Sequence, residues 1–301
     1  MERMTAKTLT VIGAPSSAGS YAAGQEQAPR VLREHGLLER LRARGIAVLD
    51  SGDGPLQVWT PDRAHPLAQN VGQVAESVLA VSEATKRALA QTDAVLVLGG
   101  NCLVTLGVMR ALTEHDPAPG LLYADRHSDL NTPATTTDGA LDWMGVAHLL
   151  GVEGATSELL DALGRSPLLA PSSLHLFGID PDAATPGERR IRDGLGLTMT
   201  TADQLRDDPA AAARAAVSTL PDGPLAVHLD VDLLDFTDAP IAEDTGGRNT
   251  GPTLAEAMDA LRVATHDPRF RALSVGELNP TRAAGDPAAI DRFADALAGL
   301  F

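Results

Sequence analysis

The sequence predicts an α/β fold, a mainly parallel sheet with helices on both faces. Three observations lead there. Short apolar runs rich in β-branched residues alternate with longer amphipathic stretches. Runs such as Ala94–Val95–Leu96–Val97–Leu98 are almost continuously apolar, as strands buried on both faces must be. Polar clusters of Gly, Asp, His and Glu directly follow four of these runs.

The elements follow in order. Leu9–Ala14 is an apolar run of strand length, and Ala28–Arg44 an amphipathic stretch of helix length. Ile46–Leu49 is a second strand, and Ala68–Gln91 a long helix after it. Ala94–Leu98 and Leu103–Thr113 form the next strand–helix pair, Leu121–Ala124 and Leu141–Leu150 the one after. Ser173–Gly178 with Ala202–Thr219, Leu225–Leu229 with Leu254–Ala264, and Ala272–Val275 with Pro287–Leu300 complete the alternation. No linker or internal repeat interrupts it, so one domain is expected over residues 1–301. Ile241–Pro252, rich in Gly, Asp and Thr, reads as a long loop of the kind that often carries function.

Composition narrows the class. The 301 residues hold 24 Lys+Arg against 40 Asp+Glu, a net charge of −16. That balance argues against nucleic acid or an anionic membrane as the main partner. It suits a cationic ligand, or simple solubility. A hydrophobic share of 44% belongs to a packed chain rather than a disordered one. One cysteine, Cys102, can make neither an intrachain disulfide nor a cysteine-rich metal site. Met1–Lys7 is polar, and the apolar run after it is too short for a signal-peptide core or a membrane span. A soluble cytoplasmic protein is expected.

In open parallel sheets, ligands bind outside the carboxyl ends of the strands. Gly99–Gly100–Asn101–Cys102, Asp125–Arg126–His127–Ser128–Asp129–Leu130–Asn131, Asp230–Val231–Asp232 and Gly276–Glu277–Leu278–Asn279–Pro280 occupy such positions. Residues two apart in extended chain project to the same side, so Asp125, His127 and Asp129 converge, as do Asp230 and Asp232. Four carboxylates and an imidazole at one sheet end repel one another unless cations or protons neutralise them. Hard oxygen ligands with one imidazole suit Mn²⁺ or a similar ion, and two ions sharing carboxylates would account for the ligand number.

At this point the chain resembles the arginase/agmatinase (ureohydrolase) family over nearly its whole length. Ile12–Gly13–Ala14–Pro15, Ala28–Pro29–Arg30–Val31–Leu32–Arg33 and Gly36–Leu37–Leu38 are similar to the family's N-terminal pattern. Gly99–Cys102 resembles Gly-Gly-Asp-His, and Asp125–Asn131 resembles Asp-Ala-His-x-Asp-x-Asn. Asn131–Thr132–Pro133, Thr135–Thr136–Thr137 and Gly139 resemble the substrate loop; Asp230–Asp235 resembles Asp-x-Asp-x-x-Asp, and Glu277–Pro280 resembles Glu-Val-Asn-Pro. The resemblance implies a three-layer α/β/α fold, a binuclear Mn²⁺ centre, hydrolysis of a guanidine or amidine C–N bond, and a homotrimer or hexamer. It implies Asp125 and Asp230 as bridging ligands, Asp129 with Cys102 at one metal, and His127 with Asp232 at the other. Glu277 would pair with the guanidinium, since a planar cation wants a planar bidentate acceptor. Asn131, Thr136, Asp138 and Asp182 would contact substrate, and Asp129, Asp142 and Glu277 would serve catalysis.

Three positions depart from the family. Cys102 stands where the family has a metal-binding His. It is either a softer ligand favouring zinc, iron or cobalt, or a small buried thiol that ligates nothing. Asp142 stands at a family His and reads either as a proton carrier or substrate contact, or as a helix cap. Asp138 stands where arginases tend to place Ser. It would repel an α-carboxylate, favouring a modified arginine or specialised guanidino metabolite, or it is a turn residue before Gly139. Arg126 is expected in a structural salt bridge rather than in contact with substrate, and His148, His175 and His228 in the core or on the surface. Asp180 and Glu188 are expected in a loop with Asp182. Asp235, Asp238, Glu243, Asp244, Arg248 and Asn249 either line the pocket mouth or are solvated. With Cys102 and Asp142 altered, a binding or regulatory protein with an incomplete metal site is the alternative to an enzyme. Hydrolysis of a formimidoyl group or an amide at the same centre is a third reading.

Overall fold

The computed structural model describes residues 7–115, 118–136, 138–243 and 249–301; Thr137, Asp244 and Arg248 fall outside them. Eight strands form one parallel sheet: β1 (Thr8–Ala14), β2 (Ala47–Asp53), β3 (Ala94–Gly99), β4 (Gly120–Ala124), β5 (Leu174–Ile179), β6 (Thr198–Thr201), β7 (Leu225–Asp230) and β8 (Phe270–Gly276). Their order is β2-β1-β3-β8-β7-β4-β5-β6. Helices α1 (Ala28–Glu34), α2 (Leu37–Ala43), α3 (Val71–Leu89), α4 (Val104–His115), α5 (Gly145–Leu149), α6 (Ser157–Leu163), α7 (Pro186–Leu195), α8 (Ala202–Asp207), α9 (Pro209–Ser218), α10 (Leu254–Thr265) and α11 (Ala289–Ala298) connect them.

Alternation along the strands builds two apolar layers. Leu96 and Leu98 of β3 join a core with α1, α2, α9, α10 and α11, whereas Val95 and Val97 join the opposite core with α3, α4, α5 and α6. This is the expected α/β/α sandwich, with the central strands fully buried.

Several elements differ from the sequence reading. The expected helix 28–44 is broken at Gly36, whose φ of 77° ends α1 and starts α2. The expected helix 202–219 is divided at Asp208, which caps α9 just ahead of Pro209. The stretch 141–150 is a 3₁₀ turn (Asp142–Met144) followed by the short α5. Strand β6, helix α6 and helix α7 were not expected. Glu188 therefore lies in the first turn of α7 rather than in a loop.

Register brings the polar strand ends together. In the central strands, Ala124 pairs with Leu229 and Asp230 with Gly276, while Leu98 pairs with Val275. Asp125, one step past Ala124, thus stands level with Asp230, and Glu277 follows one residue beyond that level, beside the turn after β3.

A candidate metal centre at the ends of the central strands

Close backbone approach shapes the centre. A Cβ on Gly100 would lie 1.7 Å from the Ser16 carbonyl oxygen, so glycine is required where β3 turns toward Cys102. Glu277 adopts φ 64°; its N–H donates to Gly100 O at 2.7 Å and its carbonyl accepts from Glu243 N at 2.9 Å. The left-handed Asp129 (φ 49°) is held by Ala147 N–H, which donates to its carbonyl at 3.0 Å.

Asp125, His127 and Asp232 form one group whose ligand atoms all lie within 4.8 Å of one another. His127 Nδ1 is 2.9 Å from Asp232 Oδ2 and 3.6 Å from Asp125 Oδ1. Asp125 Oδ1 accepts from His127 N–H at 2.6 Å, and Asp230 Oδ1 accepts from Asp232 N–H at 2.9 Å. Asp125 Oδ2 and Asp232 Oδ1 are buried without any hydrogen-bond partner. Cys102, Asp230 and Glu277 form a second group of the same span.

Crowding of negative charge sets the protonation. Burial first, then neighbouring carboxylates, push Asp125, Asp230, Asp142 and Glu277 well above the usual carboxylate range. Burial raises Asp129 to about 7, against the hydrogen bond from Tyr123. Burial opposes charge on Asp232 and on His127. Their mutual attraction outweighs it, lowering Asp232 and pushing His127 up to about 9.

Two orphaned carboxylate oxygens, each desolvated, are a cost that a cation removes. Asp125, His127 and Asp232 offer hard oxygens and one imidazole, a donor set that fits a divalent ion of the Mn²⁺ type.

The second group is organised differently. Cys102 Sγ lies 3.1 Å from the Asp142 carbonyl and 3.4 Å from Asp129 Oδ2, and burial with nearby acids pushes its thiol well up. Asp129 Oδ2 accepts the Tyr123 hydroxyl at 2.5 Å. Glu277 Oε1 accepts from Cys102 N–H at 3.0 Å, and Oε2 from Gln25 Nε2.

Comparison with known proteins decides the relationship. Residues 7–297 match the Arginase family. The chain belongs to the arginase family. It is 33% identical to human Arginase-1 over 208 residues, 66% of this chain and 62% of that one, so this match spans less than two thirds of the relative. The crystal structure of arginase from Bacillus subtilis superposes with a TM-score of 0.83 at 24% identity, covering 98% of this chain and 96% of that one. Proclavaminate amidino hydrolase from Streptomyces clavuligerus has the same fold, with a TM-score of 0.69 at 21% identity, covering 98% and 92%.

Set against its arginase-family relatives, the chain's cavity is walled by residues that sequence reasoning missed. A cavity of about 30 Å³ is lined by Tyr21 and Trp143 as well as Cys102, His127, Asp129, Asp142, Asp230, Asp232 and Glu277. The Trp143 ring tilts against His127 with centroids 5.4 Å apart, and its Nε1 is buried without a partner. Asp142 is buried; its Oδ1 accepts from Trp143 N–H at 3.1 Å, and Leu141 rather than Asp142 stands at the cap position of the turn.

The other expected substrate residues do not line this cavity. Asn131 Oδ1 accepts hydroxyls from Thr135 at 3.0 Å and Thr185 at 3.1 Å. Thr136 Oγ1 is buried without a partner. Asp138 is an exposed turn residue whose Oδ1 accepts from Ala140 N–H at 3.1 Å, ahead of Gly139 at φ 69°. Exposed Asp182 lines a second cavity of about 480 Å³, together with Arg126, Asp180 and Arg206, and Asp232 borders both cavities.

Supporting residues are clearer. Arg126 makes its salt bridge, to Asp180 at 3.5 Å. Buried Glu188 completes a capping box with Thr185, and its Oε1 accepts from Ser128 Oγ at 2.9 Å and Leu130 N–H at 3.3 Å, fixing the loop between Asp125 and Asn131. The signal was present in Thr185-x-x-Glu188. His148, His175 and His228 are buried, and burial lowers them to about 4, 4 and 3. Asp235 accepts from Thr237 within its own turn, and Asp238 from Leu254 N–H. Glu243 is buried against Asn279 and Arg282, while Asn249 is exposed.

Proposed function

We propose that this arginase-family hydrolase, of the class acting on C–N bonds in linear amidines, cleaves the guanidine group of a modified arginine or specialised guanidino metabolite. Urea or a substituted urea is released. The observation that carries the reading is the meeting of Asp232, one of whose oxygens is orphaned, with the Glu277 carboxylate in one buried cavity, Asp125 with its own orphaned oxygen standing in the same ligand group as Asp232. Asp125, His127 and Asp232, with Asp230 beside them, would hold a divalent cation, Mn²⁺ in the first instance. Such an ion supplies Lewis-acid charge and activates water.

The chain's own residues do the rest. Glu277 accepts the planar guanidinium, its oxygens prepositioned by Cys102 N–H and Gln25. Trp143, which lines the cavity, offers a ring face to the flat cation. Asp142 and Asp129 line the cavity as buried carboxyls able to carry the proton that the departing amine needs. Asn131, Thr136, Asp138 and Asp182 lie toward the substrate's far end. The carboxylate of Asp138 disfavours an α-carboxylate there, which supports a substrate other than free L-arginine.

Metal-loaded protein assayed against a broad guanidine panel should release urea or a substituted urea from a modified arginine, with plain L-arginine a poor substrate. Efficient turnover of L-arginine contradicts the substrate reading, and silence across the panel contradicts the activity. The same reading takes the protein as a cytoplasmic homo-oligomer, trimer or hexamer, on resemblance. Among the described residues no helix is long and apolar enough to cross a membrane. Light scattering of the purified chain measures the assembly.

A further inference from the structure

The resemblance implies two ions sharing one cluster, yet the carboxylate oxygens left without partners lie on one side of it. Among the described residues these are Asp125 Oδ2 and Asp232 Oδ1, both in the group that contains His127. The Cys102 side is already provided for. Both Glu277 oxygens accept protein N–H groups, and Asp230 Oδ1 accepts Asp232 N–H. Asp129 Oδ2 takes the Tyr123 hydroxyl at 2.5 Å and faces the Cys102 sulfur at 3.4 Å. The Tyr123 ring is itself fixed, stacked on His228 at 4.7 Å between centroids, and His228 Nδ1 sits 2.6 Å and 2.9 Å from the hydroxyls of Thr105 and Ser274.

We infer that the centre holds one divalent ion, on Asp125, His127 and Asp232, and that a hydrogen-bonded Tyr123–Asp129–Cys102 unit stands in place of a second. A buried carboxylate must be compensated by a cation or by donated hydrogens. At Asp129 the Tyr123 phenol provides a hydrogen at 2.5 Å, and the single Cys102 S–H has the Asp142 carbonyl at 3.1 Å and Asp129 Oδ2 at 3.4 Å as its acceptors, so the sulfur is satisfied as a donor and no second dication is called for. The sulfur is then a donor rather than a ligand, and the preference of thiolate sites for softer metals does not govern this centre. The inference rests on the metal-dependent hydrolase reading and narrows its metal centre to one ion.

The test counts metal. The full chain is stripped with chelator, dialysed against Mn²⁺, and bound manganese is measured per chain by mass spectrometry. One equivalent is expected in the wild type, in Cys102→Ser and in Asp129→Asn, and a loss of at least tenfold in occupancy in Asp232→Asn. Two equivalents in the wild type, or loss of an equivalent in folded Cys102→Ser or Asp129→Asn, overturns the inference. Should a variant fail to fold, the wild type loaded with Co²⁺ gives an independent readout. No thiolate-to-cobalt charge-transfer band is expected, and its presence overturns the inference. Zero equivalents overturns both this inference and the hydrolase reading. One equivalent without hydrolysis of any guanidine overturns the hydrolase reading alone.

Discussion

Glu277 concentrates several demands on one side chain: a left-handed backbone, two N–H donors on its carboxylate, and a place beside the acidic cluster. Glu277→Gln keeps the shape and removes the charge that meets a guanidinium. A charge-assisted bidentate contact is worth about 3 kcal/mol, so kcat/KM for the guanidine substrate should fall about a hundredfold in steady-state assays. His148 allows a cleaner test of burial. Its Nδ1 lies 2.7 Å from the Met144 carbonyl and its Nε2 accepts Thr156 N–H, so only the neutral ring satisfies both. Its folded pKa, about 4, lies below the ordinary 6.5, so its contribution is present above pH 6.5 and lost as pH falls toward 4. The stability gap between wild type and His148→Gln, followed by urea denaturation, should therefore narrow between pH 7 and pH 4.5. At this scale the acidic cluster at the strand ends was readable because period-two spacing there has few other uses. Tyr123 was not, since an aromatic two residues before Asp125 reads equally well as core. Trp143 and Tyr21 reach the cavity from turns whose direction no local pattern encodes.

Helix α7 shows how a secondary-structure signal and a site can be one object. Thr185 and Glu188 cap its first turn, and the same Glu188 carboxylate holds Ser128 and Leu130 of the acidic loop. Thr185→Ala should cost about 1 kcal/mol of stability by urea denaturation, the usual loss of a cap. Glu188→Ala should cost more, about 2–3 kcal/mol, because it also strands buried donors, and it should weaken manganese binding. Elements of this kind escaped the sequence reading for a physical reason. α7 carries four charged residues in Glu-Arg-Arg-Ile-Arg and little apolar periodicity, and β6 is the four-residue Thr-Met-Thr-Thr with no buried run. The long apolar strands β3, β5 and β7 were legible for the opposite reason, being buried at every position.

Over the whole molecule, metal and proton compete for one cluster. Carboxyls raised above their unfolded values favour the metal-free fold at low pH, and that stability is lost as pH rises through their folded pKa. Ion binding needs the same groups ionised and His127 neutral, so it strengthens as pH rises. The difference in melting temperature between manganese-loaded and chelator-treated protein should therefore widen from pH 5 to pH 8 in scanning calorimetry. The sheet order carries a separate consequence. β8 lies between β3 and β7, although nearly all of the described chain precedes it. Until β8 inserts, β2-β1-β3 and β7-β4-β5-β6 are two half-sheets, each showing a raw apolar edge able to pair with another chain. During synthesis, the hazard of misassembly thus persists until the strand leading to Glu277 emerges, and the same late event that joins the halves completes the candidate site.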